Sequence, residues 1–279
     1  MTDLTSPAVI RELIARHGFS FSKSLGQNFI TSRSALERMA DASGIDGKTG
    51  VLEIGPGIGT LTRELSARAE QVAAVEIDRA LLPLLDETLA DCGNVRVYRA
   101  DALELDLPVF CRDALPCEKL AVCANLPYYI TTPAVTRLLQ ARLFSGITLL
   151  LQREAAGRLC ARPGEPGYCA VSVLVRYYAE PKLLFRVPAD CFFPRPKVAS
   201  AVLSLTPKQA LLPETAEVRF LELVHAAFAQ RRKQLQNALA AVYGRDRALT
   251  ALRTCGFRDD VRGEALSAED FVRLANAMS

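Results

Sequence analysis

The 279-residue sequence predicts an α/β protein: a parallel sheet with helices on both faces, followed by a small all-helical C-terminal domain. Short apolar runs bounded by turn residues alternate with amphipathic stretches over most of the chain, as in sheets built from strand–helix repeats. Beyond about residue 208 only helical periodicity remains. We therefore expect a first domain over 1–207 and a helical domain over 208–279.

The predicted strands are short apolar runs of the kind that parallel sheets bury on both faces. Amphipathic segments such as TLTRELSARA and ALLPLLDETLA lie between them and have the period of helices that cover a sheet. Two further strands are expected in PKLLFRV and ASAVLSL, joined by the proline-rich PADCFFPRPKV. The first five runs are GVLEI (50–54), QVAAVEI (71–77), NVRVY (94–98), LAVCAN (120–125) and GITLLLQ (146–152).

Composition excludes several classes of protein. Half of the residues are hydrophobic and 23% are charged, which is ordinary for a globular protein. Apolar runs are too short to span a membrane, and the N-terminus lacks the apolar core of a signal peptide. Eight cysteines without a CxxC pair and two distant histidines indicate reduced thiols in a cytoplasmic protein with no metal site. Because the net charge is only +3, attraction to nucleic acid must come from local clusters.

A glycine-rich turn follows the first of these strands, in VLEIGPGIGTLT. Gly55 and Gly57 allow a sharp turn and let a ligand approach the main chain without a Cβ atom in the way. A helix is expected to begin near Thr60. The last spacing departs from GxGxxG, so a dinucleotide site and a plain tight turn both stay open from this motif alone.

Two acidic residues follow the next strands. Glu76 ends the second strand about 20 residues after the glycines, where a carboxylate accepts hydrogen bonds from ribose hydroxyls. Asp101 follows the third strand and is placed to accept from an adenine amino group. Each acid alone is as well explained as a helix cap. Together, at the carboxyl ends of successive strands, they indicate a crevice for an adenosyl cofactor.

The segment ANLPYYI ends the fourth strand and should face the same crevice. Asn125 is a poor acid or base, but its side-chain oxygen accepts hydrogen bonds. That oxygen and the carbonyl of Leu126 or Pro127 could hold both N–H groups of an exocyclic amine on an aromatic base. Tyr128 could stack on the base. Methyl transfer from a sulfonium to that amine needs alignment more than acid–base chemistry. A simple turn with buried tyrosines is the structural alternative.

These motifs and several others resemble the ribosomal RNA adenine N6-dimethyltransferases, most closely their small-subunit branch. The resemblance covers nearly the whole chain. It implies a Rossmann-like class I methyltransferase fold, S-adenosylmethionine as cofactor, and dimethylation of two adjacent adenosines in the terminal hairpin of small-subunit rRNA during subunit assembly. The matching segments are SLGQNFI, VLEIGPGIGTLT, AVEIDRAL, ADALELD, ANLPYYITTP, LLLQREAAGRL, FFPRPKVASAVLSL and FAQRRKQLQNAL.

The resemblance also implies roles for particular residues. Phe192 is expected to form a second aromatic wall for the target base, with Phe193 as the adjacent alternative. Tyr129 occupies a position where the family often has a smaller polar residue, so its role is open. The expected catalytic tetrad is Asn125, Leu126, Pro127 and Tyr128. The expected cofactor contacts are Asn28, Ile30, Gly55, Gly57, Glu76, Asp101 and Asn125.

The expected partner is small-subunit rRNA within the assembling subunit, bound by a monomer through basic clusters. The densest cluster is Arg231, Arg232 and Lys233. If these cations lay in the first turn of a helix, their interaction with the helix dipole would be unfavourable, and RNA phosphates would offset that cost. If it closes the preceding helix, that argument lapses. The candidate RNA contacts are Arg231, Arg232, Lys233, Arg195 and Lys197.

Four alternative functions account for part of the sequence pattern. The large-subunit relatives that confer macrolide resistance share the cofactor and tetrad motifs, but NLPYY and the helical tail favour the small-subunit branch. A non-catalytic ribosome assembly factor is a second alternative. A DNA adenine methyltransferase is disfavoured because about 70 residues beyond the boundary are few for a domain that reads the major groove. A nicotinamide dehydrogenase would leave the tetrad without a role.

Overall fold

The structure of the protein is a computed structural model that describes residues 3–22, 25–229 and 233–278. Its main sheet has seven strands in the order β4-β3-β2-β5-β6-β9-β7. The five strands β4, β3, β2, β5 and β6 run parallel, whereas β9 is antiparallel to β6. All seven strands predicted above are confirmed. The strands are β1 (Phe29–Ile30), β2 (Thr49–Ile54), β3 (Gln71–Glu76), β4 (Val95–Arg99), β5 (Lys119–Asn125), β6 (Gly146–Gln152), β7 (Ala179–Val187), β8 (Phe192–Phe193) and β9 (Ser200–Pro207).

Helices connect the parallel strands and continue beyond β9. All six residues of β2 are buried. Because alternate side chains of a strand point to opposite faces, both faces of the sheet are covered there, as predicted. The helices are α1 (Pro7–Arg16), α2 (Arg33–Ala42), α3 (Thr60–Ser66), α4 (Leu82–Thr88), α5 (Leu107–Ala114), α6 (Thr131–Ala141), α7 (Arg153–Cys160), α8 (Ala170–Tyr178), α9 (Glu214–Ala229), α10 (Leu235–Tyr243), α11 (Arg245–Thr254) and α12 (Ala268–Ala277).

A two-stranded antiparallel ribbon, β1 with β8, joins the N-terminal arm to the segment after β7. Its register pairs Phe29 with Phe193 and Ile30 with Phe192. The arm carries its own aromatic cluster, in which the ring of Phe21 lies 5.2 Å from that of Phe29 and 5.9 Å from that of Phe193. The ribbon therefore fixes where GQNFI lies, which no local pattern predicted.

Grouped by their contacts, the residues form two compact units. The first contains the chain up to Ala156 and Lys182–Pro207, and the second contains Gly157–Pro181 with the chain from Lys208 onward. The sequence placed 157–181 before the domain boundary. Packing groups it with the helical unit because the ring of Tyr177 in α8 stacks on Phe220 in α9 at 4.2 Å.

Among the described residues, none of the helices combines the length and the apolar character that a membrane crossing needs. Within the same residues, histidine, cysteine, aspartate and glutamate side chains form no group of three or more that could hold a metal ion. The eight cysteines are unpaired.

Candidate functional site

A cavity of about 880 Å³, counting the solvent at its mouth, lies in the first unit. The loops that follow β2, β3, β4 and β5 form its walls together with the N-terminal arm. This is the carboxyl edge of the parallel strands, where open α/β sheets bind ligands. The predicted residues that line it are Asn28, Ile30, Gly55, Gly57, Glu76, Asp101, Asn125, Leu126, Pro127 and Tyr128.

The glycine loop brings the arm and the loop after β5 close to the end of β2. Gly55 and Gly57 have φ angles of +71° and +61°, which side chains of L-residues rarely adopt. A Cβ atom at Gly55 would lie 3.3 Å from Pro127, and one at Gly57 would lie 3.0 Å from the Phe29 ring. Both glycines are therefore required by backbone conformation and by close packing around the cavity.

Glu76, at the end of β3, is 5% exposed and lines the cavity. Its Oε1 atom accepts the backbone N–H of Asp78 at 2.7 Å. Burial is the main cause that raises the pKa of this carboxyl to about 7, although the backbone N–H donors oppose the shift. A ligand that supplies hydroxyl donors would favour the ionised form.

Glu53 is a cavity residue that sequence reasoning missed. It lies in β2, is 1% exposed, and its Oε2 atom has no hydrogen-bond partner among the described residues. Burial raises its pKa to about 8, with a smaller contribution from the charge of Glu76, although the neighbouring Thr62 hydroxyl opposes the shift. The sequence feature that could have indicated this residue is its position, an acid two residues before Gly55. A buried carboxyl oxygen without a partner fits a ligand that brings hydrogen-bond donors or positive charge.

Asp101 lies half-buried in the loop after β4. Its Oδ1 atom accepts the N–H of Leu103 at 2.8 Å, which shapes the loop. Arg137 of α6 donates to the carbonyl of Leu105 and so ties this loop to the helix that follows the tetrad. Asp101 thus faces the same cavity as Glu76 from the neighbouring strand end.

Asn125 ends β5, and its Nδ2 donates to the carbonyl of Asn28 at 3.4 Å. That bond directs the amide so that Oδ1 is left as an acceptor. The Pro127 carbonyl already accepts the N–H of Ile130 at 3.2 Å, whereas no hydrogen bond from a described residue reaches the Leu126 carbonyl. Of the two candidate carbonyls, that of Leu126 is therefore the one that accepts no hydrogen bond from a described residue, and we take it as the second acceptor.

Two tyrosines follow in a short 3₁₀ turn, Tyr128–Ile130. The hydroxyl of Tyr128 lies 3.3 Å from Ser200 Oγ at the start of β9. Burial raises the pKa of Tyr128, which keeps its phenol neutral. Tyr129 also lines the cavity but is 50% exposed, and its pKa is raised by partial burial and by the charges of Asp101 and Glu76.

The structure does not bring Phe192 to the cavity. Its ring is 4% exposed and packs in the core cluster that contains Leu36 and Met39. The ring of Phe193 is partly buried near Phe21, with the Arg11 guanidinium 5.2 Å from its centre. Register in the β1–β8 ribbon sets both orientations, and adjacent residues of a strand face opposite sides.

The predicted RNA contacts lie in two separate segments of the chain. Arg195 and Lys197 are exposed between β8 and β9, and Lys233 is exposed just before α10. Arg231 and Arg232 lie outside the described residues. Since α9 ends at Ala229 and α10 begins at Leu235, Lys233 belongs to the connection and not to the first turn of a helix.

Three features together define a class I methyltransferase: a glycine loop after β2, acids at the ends of the next two strands, and a strand near one edge, β9, that is antiparallel to β6. The fold and cavity thus identify the class. More narrowly, the chain belongs to the ribosomal RNA adenine dimethylase family, whose profile matches residues 18–279.

Curated relatives match along almost their whole length. The protein is 42% identical to Ribosomal RNA small subunit methyltransferase A of Shouchella clausii (strain KSM-K16), over 99% of this chain and 96% of that protein. It is equally similar to the protein of that name from Bacillus thuringiensis (strain Al Hakam), over 100% and 98%. Among solved structures, the 23S rRNA methyltransferase ErmE is 30% identical with a TM-score of 0.69, covering 90% of this chain and 99% of that one.

A dimethyladenosine transferase from Plasmodium falciparum supports the fold. Its TM-score is 0.74 at 24% identity, with 88% of this chain and 95% of that chain covered.

Proposed function

We propose that this enzyme transfers methyl groups from S-adenosylmethionine to N6 of two adjacent adenosines in the 3′-terminal hairpin of small-subunit (16S) rRNA. The observation that carries the proposal is the presence of two free acceptors, Asn125 Oδ1 and the Leu126 carbonyl, in one cavity with Glu76 and Asp101. The family and the names of the 42% identical relatives support rRNA of the small subunit as the substrate.

The residues present fit the cofactor. Glu76 is placed to accept from ribose hydroxyls, and Asp101 from the adenine amino group. The partnerless carboxyl oxygen of Glu53 fits the positively charged end of the molecule. When bound, S-adenosylmethionine supplies an electrophilic methyl group on a sulfonium. Asn28, Ile30 and the glycine loop would enclose it from the arm side.

The tetrad would orient the target amine. In adenine the N6 lone pair is delocalised into the ring, which makes the nitrogen a poor nucleophile. In the first transfer two acceptors, Asn125 Oδ1 and the Leu126 carbonyl, would hold its two N–H groups and favour a pyramidal nitrogen. In the second transfer one of them would hold the N–H that remains. Tyr128 would stack on the base, an interaction worth roughly 1–3 kcal/mol. The methylated nitrogen would release its proton to the solvent, since the neutral phenol of Tyr128 does not serve as the base, and alignment supplies the rate enhancement.

The large-subunit activity is the second candidate, because ErmE, a 23S rRNA methyltransferase, is 30% identical to this chain. To separate the two, small and large subunits from cells lacking this protein are incubated with it and with methyl-labelled cofactor. We expect label in the small subunit alone, in two adjacent N6,N6-dimethyladenosines detected by mass spectrometry. Label confined to the large subunit would overturn the proposal.

A binding-only assembly factor would give no label in either subunit. The variant Asn125→Ala should lower the rate of labelling by roughly 100-fold or more while small-subunit binding persists. Asn276→Ala, which truncates an exposed asparagine on α12, is the matched control and should retain full activity. The monomeric state, the cytoplasmic location and the five basic RNA contacts stay predictions.

A further inference from the structure

Gln27, in the N-terminal arm, links that arm to the strand end that carries Glu76. Its Oε1 atom accepts the backbone N–H of Ser22 at 2.8 Å. Its Nε2 donates to Asp78 Oδ2 at 2.6 Å, across 51 residues of sequence. A backbone N–H can only donate, so the bond from Ser22 fixes the amide oxygen on that side and turns the NH₂ group toward Asp78.

Asp78 continues the connection to the floor of the cavity. Its backbone N–H donates to Glu76 Oε1 at 2.7 Å, and its Oδ1 accepts the N–H of Ala80 at 2.9 Å. Both carboxylate oxygens of Asp78 are therefore occupied, one by the arm and one by the turn that follows β3. The chain of bonds runs from Ser22 through Gln27 and Asp78 to Glu76.

The neighbouring polar bond of the arm is longer, since Asn125 Nδ2 lies 3.4 Å from the Asn28 carbonyl. A hydrogen bond to a carboxylate is stronger than one between neutral groups. Gln27 also lines the cavity directly beside Asn28. Of these two hydrogen bonds between the arm and the strand ends, the one from Gln27 to Asp78 is therefore the shorter, and its acceptor is a carboxylate.

We propose that Gln27 and Asp78 form a positioning pair, which holds the arm residues Asn28 and Ile30 and the carboxylate of Glu76 in one arrangement suited to the cofactor. This inference rests on the proposed function, because it assigns the cavity to S-adenosylmethionine. The pair acts by preorganisation: a cavity whose walls are already in place loses less free energy in ordering them when the ligand binds.

Because Gln27 donates and Asp78 accepts, the donor and acceptor roles can be exchanged between the two positions by substitution. Gln27→Glu keeps the acceptor for Ser22 but sets two carboxylates against each other. Asp78→Asn keeps the acceptor for Ala80 but sets two NH₂ groups against each other. The double variant Gln27→Glu/Asp78→Asn restores one donor and one acceptor with the direction reversed, keeps both outer bonds, and leaves the net charge unchanged.

The test measures the dissociation constant of S-adenosylhomocysteine by calorimetry for the full-length protein. It also measures kcat and KM with small ribosomal subunits as the methyl acceptor. Each single variant should weaken binding about tenfold or more, in line with the loss of a charge-assisted hydrogen bond. The KM for the cofactor should rise by a similar factor, while the KM for the subunit stays within about twofold. The double variant should return the dissociation constant to within about threefold of wild type.

Asp106→Asn is the matched control, because Asp106 Oδ1 likewise accepts a backbone N–H, that of Val109, at the start of α5. Its binding should equal that of wild type. A double variant as weak as the single variants, or single variants that lower the melting temperature without changing the dissociation constant, would refute the positioning role. If wild type itself fails to bind S-adenosylhomocysteine, the proposed function fails first.

Discussion

The two sides of the cavity are built in different ways. On the strand-end side, Glu53 and Glu76 are 1% and 5% exposed and belong to strands whose residues are almost all buried. The other side, called the loop side below, is formed by the last residue of β5 and the turn that follows it. There Asn125 is half-buried and Tyr129 is 50% exposed, and the polar contacts of Asn125 and Tyr128 measure 3.4 and 3.3 Å.

This difference separates two tasks. Buried strand ends give the proposed cofactor side fixed acids whose pKa values are raised because water is excluded. The loop side is less buried at Asn125 and Tyr129, and its acceptors line the cavity, where a base from a large RNA would have to enter. Substitutions on the first side should therefore change cofactor affinity and stability, and substitutions on the second side should change the rate of methyl transfer.

The largest expected effect concerns the β1–β8 ribbon, in which the N-terminal arm pairs with the segment after β7. Phe192→Ala should lower the free energy of unfolding by about 3–5 kcal/mol, because it empties a core site. Phe192→Leu, which keeps most of the volume, should cost less and leave kcat/KM at 25 °C close to wild type. Urea denaturation and initial rates check this. A loss of kcat/KM in Phe192→Leu without a loss of stability would restore the base-wall role.

Next in size is Asn125→Ala on the loop side. Removing one of two aligned acceptors should lower kcat by roughly 100–1,000-fold, the range seen when a single transition-state hydrogen bond is deleted. The dissociation constant of S-adenosylhomocysteine should change less than the rate does. Single-turnover methyl transfer under saturating cofactor measures the effect, and a rate within threefold of wild type would contradict the tetrad assignment.

On the strand-end side, Glu53 should make stability depend on pH. Its folded pKa of about 8 exceeds its ordinary value of 4.5, so the folded state holds a proton that the unfolded state has lost. Stability should therefore fall as pH rises from about 4.5 to 8, by a few kcal/mol at most. Glu53→Gln should flatten this slope, with a remainder of the same sign from Glu76.

Urea denaturation at pH 5 and pH 8 measures that slope. The exposed Glu12→Gln in α1 is the matched control and should keep the wild-type pH dependence. A slope that persists unchanged in Glu53→Gln would show that Glu53 is already ionised in the folded protein.

The smallest effect is expected at Tyr128. Tyr128→Ala should reduce kcat/KM for the small subunit by an amount equivalent to about 1–3 kcal/mol of stacking. Tyr128→Phe keeps the ring and loses only the contact to Ser200, so it should stay within a few-fold of wild type. If Phe and Ala were equally impaired, the hydroxyl and not the ring would be the important group.

Much of this cavity was predictable because its residues follow from local pattern and one topological rule. Parallel strands end at the same edge of a sheet, so Gly55, Glu76, Asp101 and Asn125 had to meet once their strands were recognised. Phe192 illustrates the opposite case. Its motif predicted an aromatic wall, but the side its ring faces depends on pairing with Ile30, 162 residues earlier in the chain.

The sequence by itself determined the strands, the glycine turn, the acids at the strand ends and the family, because these depend on residues close together in the chain. Tertiary structure alone decided the antiparallel course of β9, the orphaned oxygen of Glu53, the burial of Phe192 and the bond between Gln27 and Asp78. Each of these is set by register and packing between segments that are distant in the chain. Composition and periodicity do not indicate which distant segments pair.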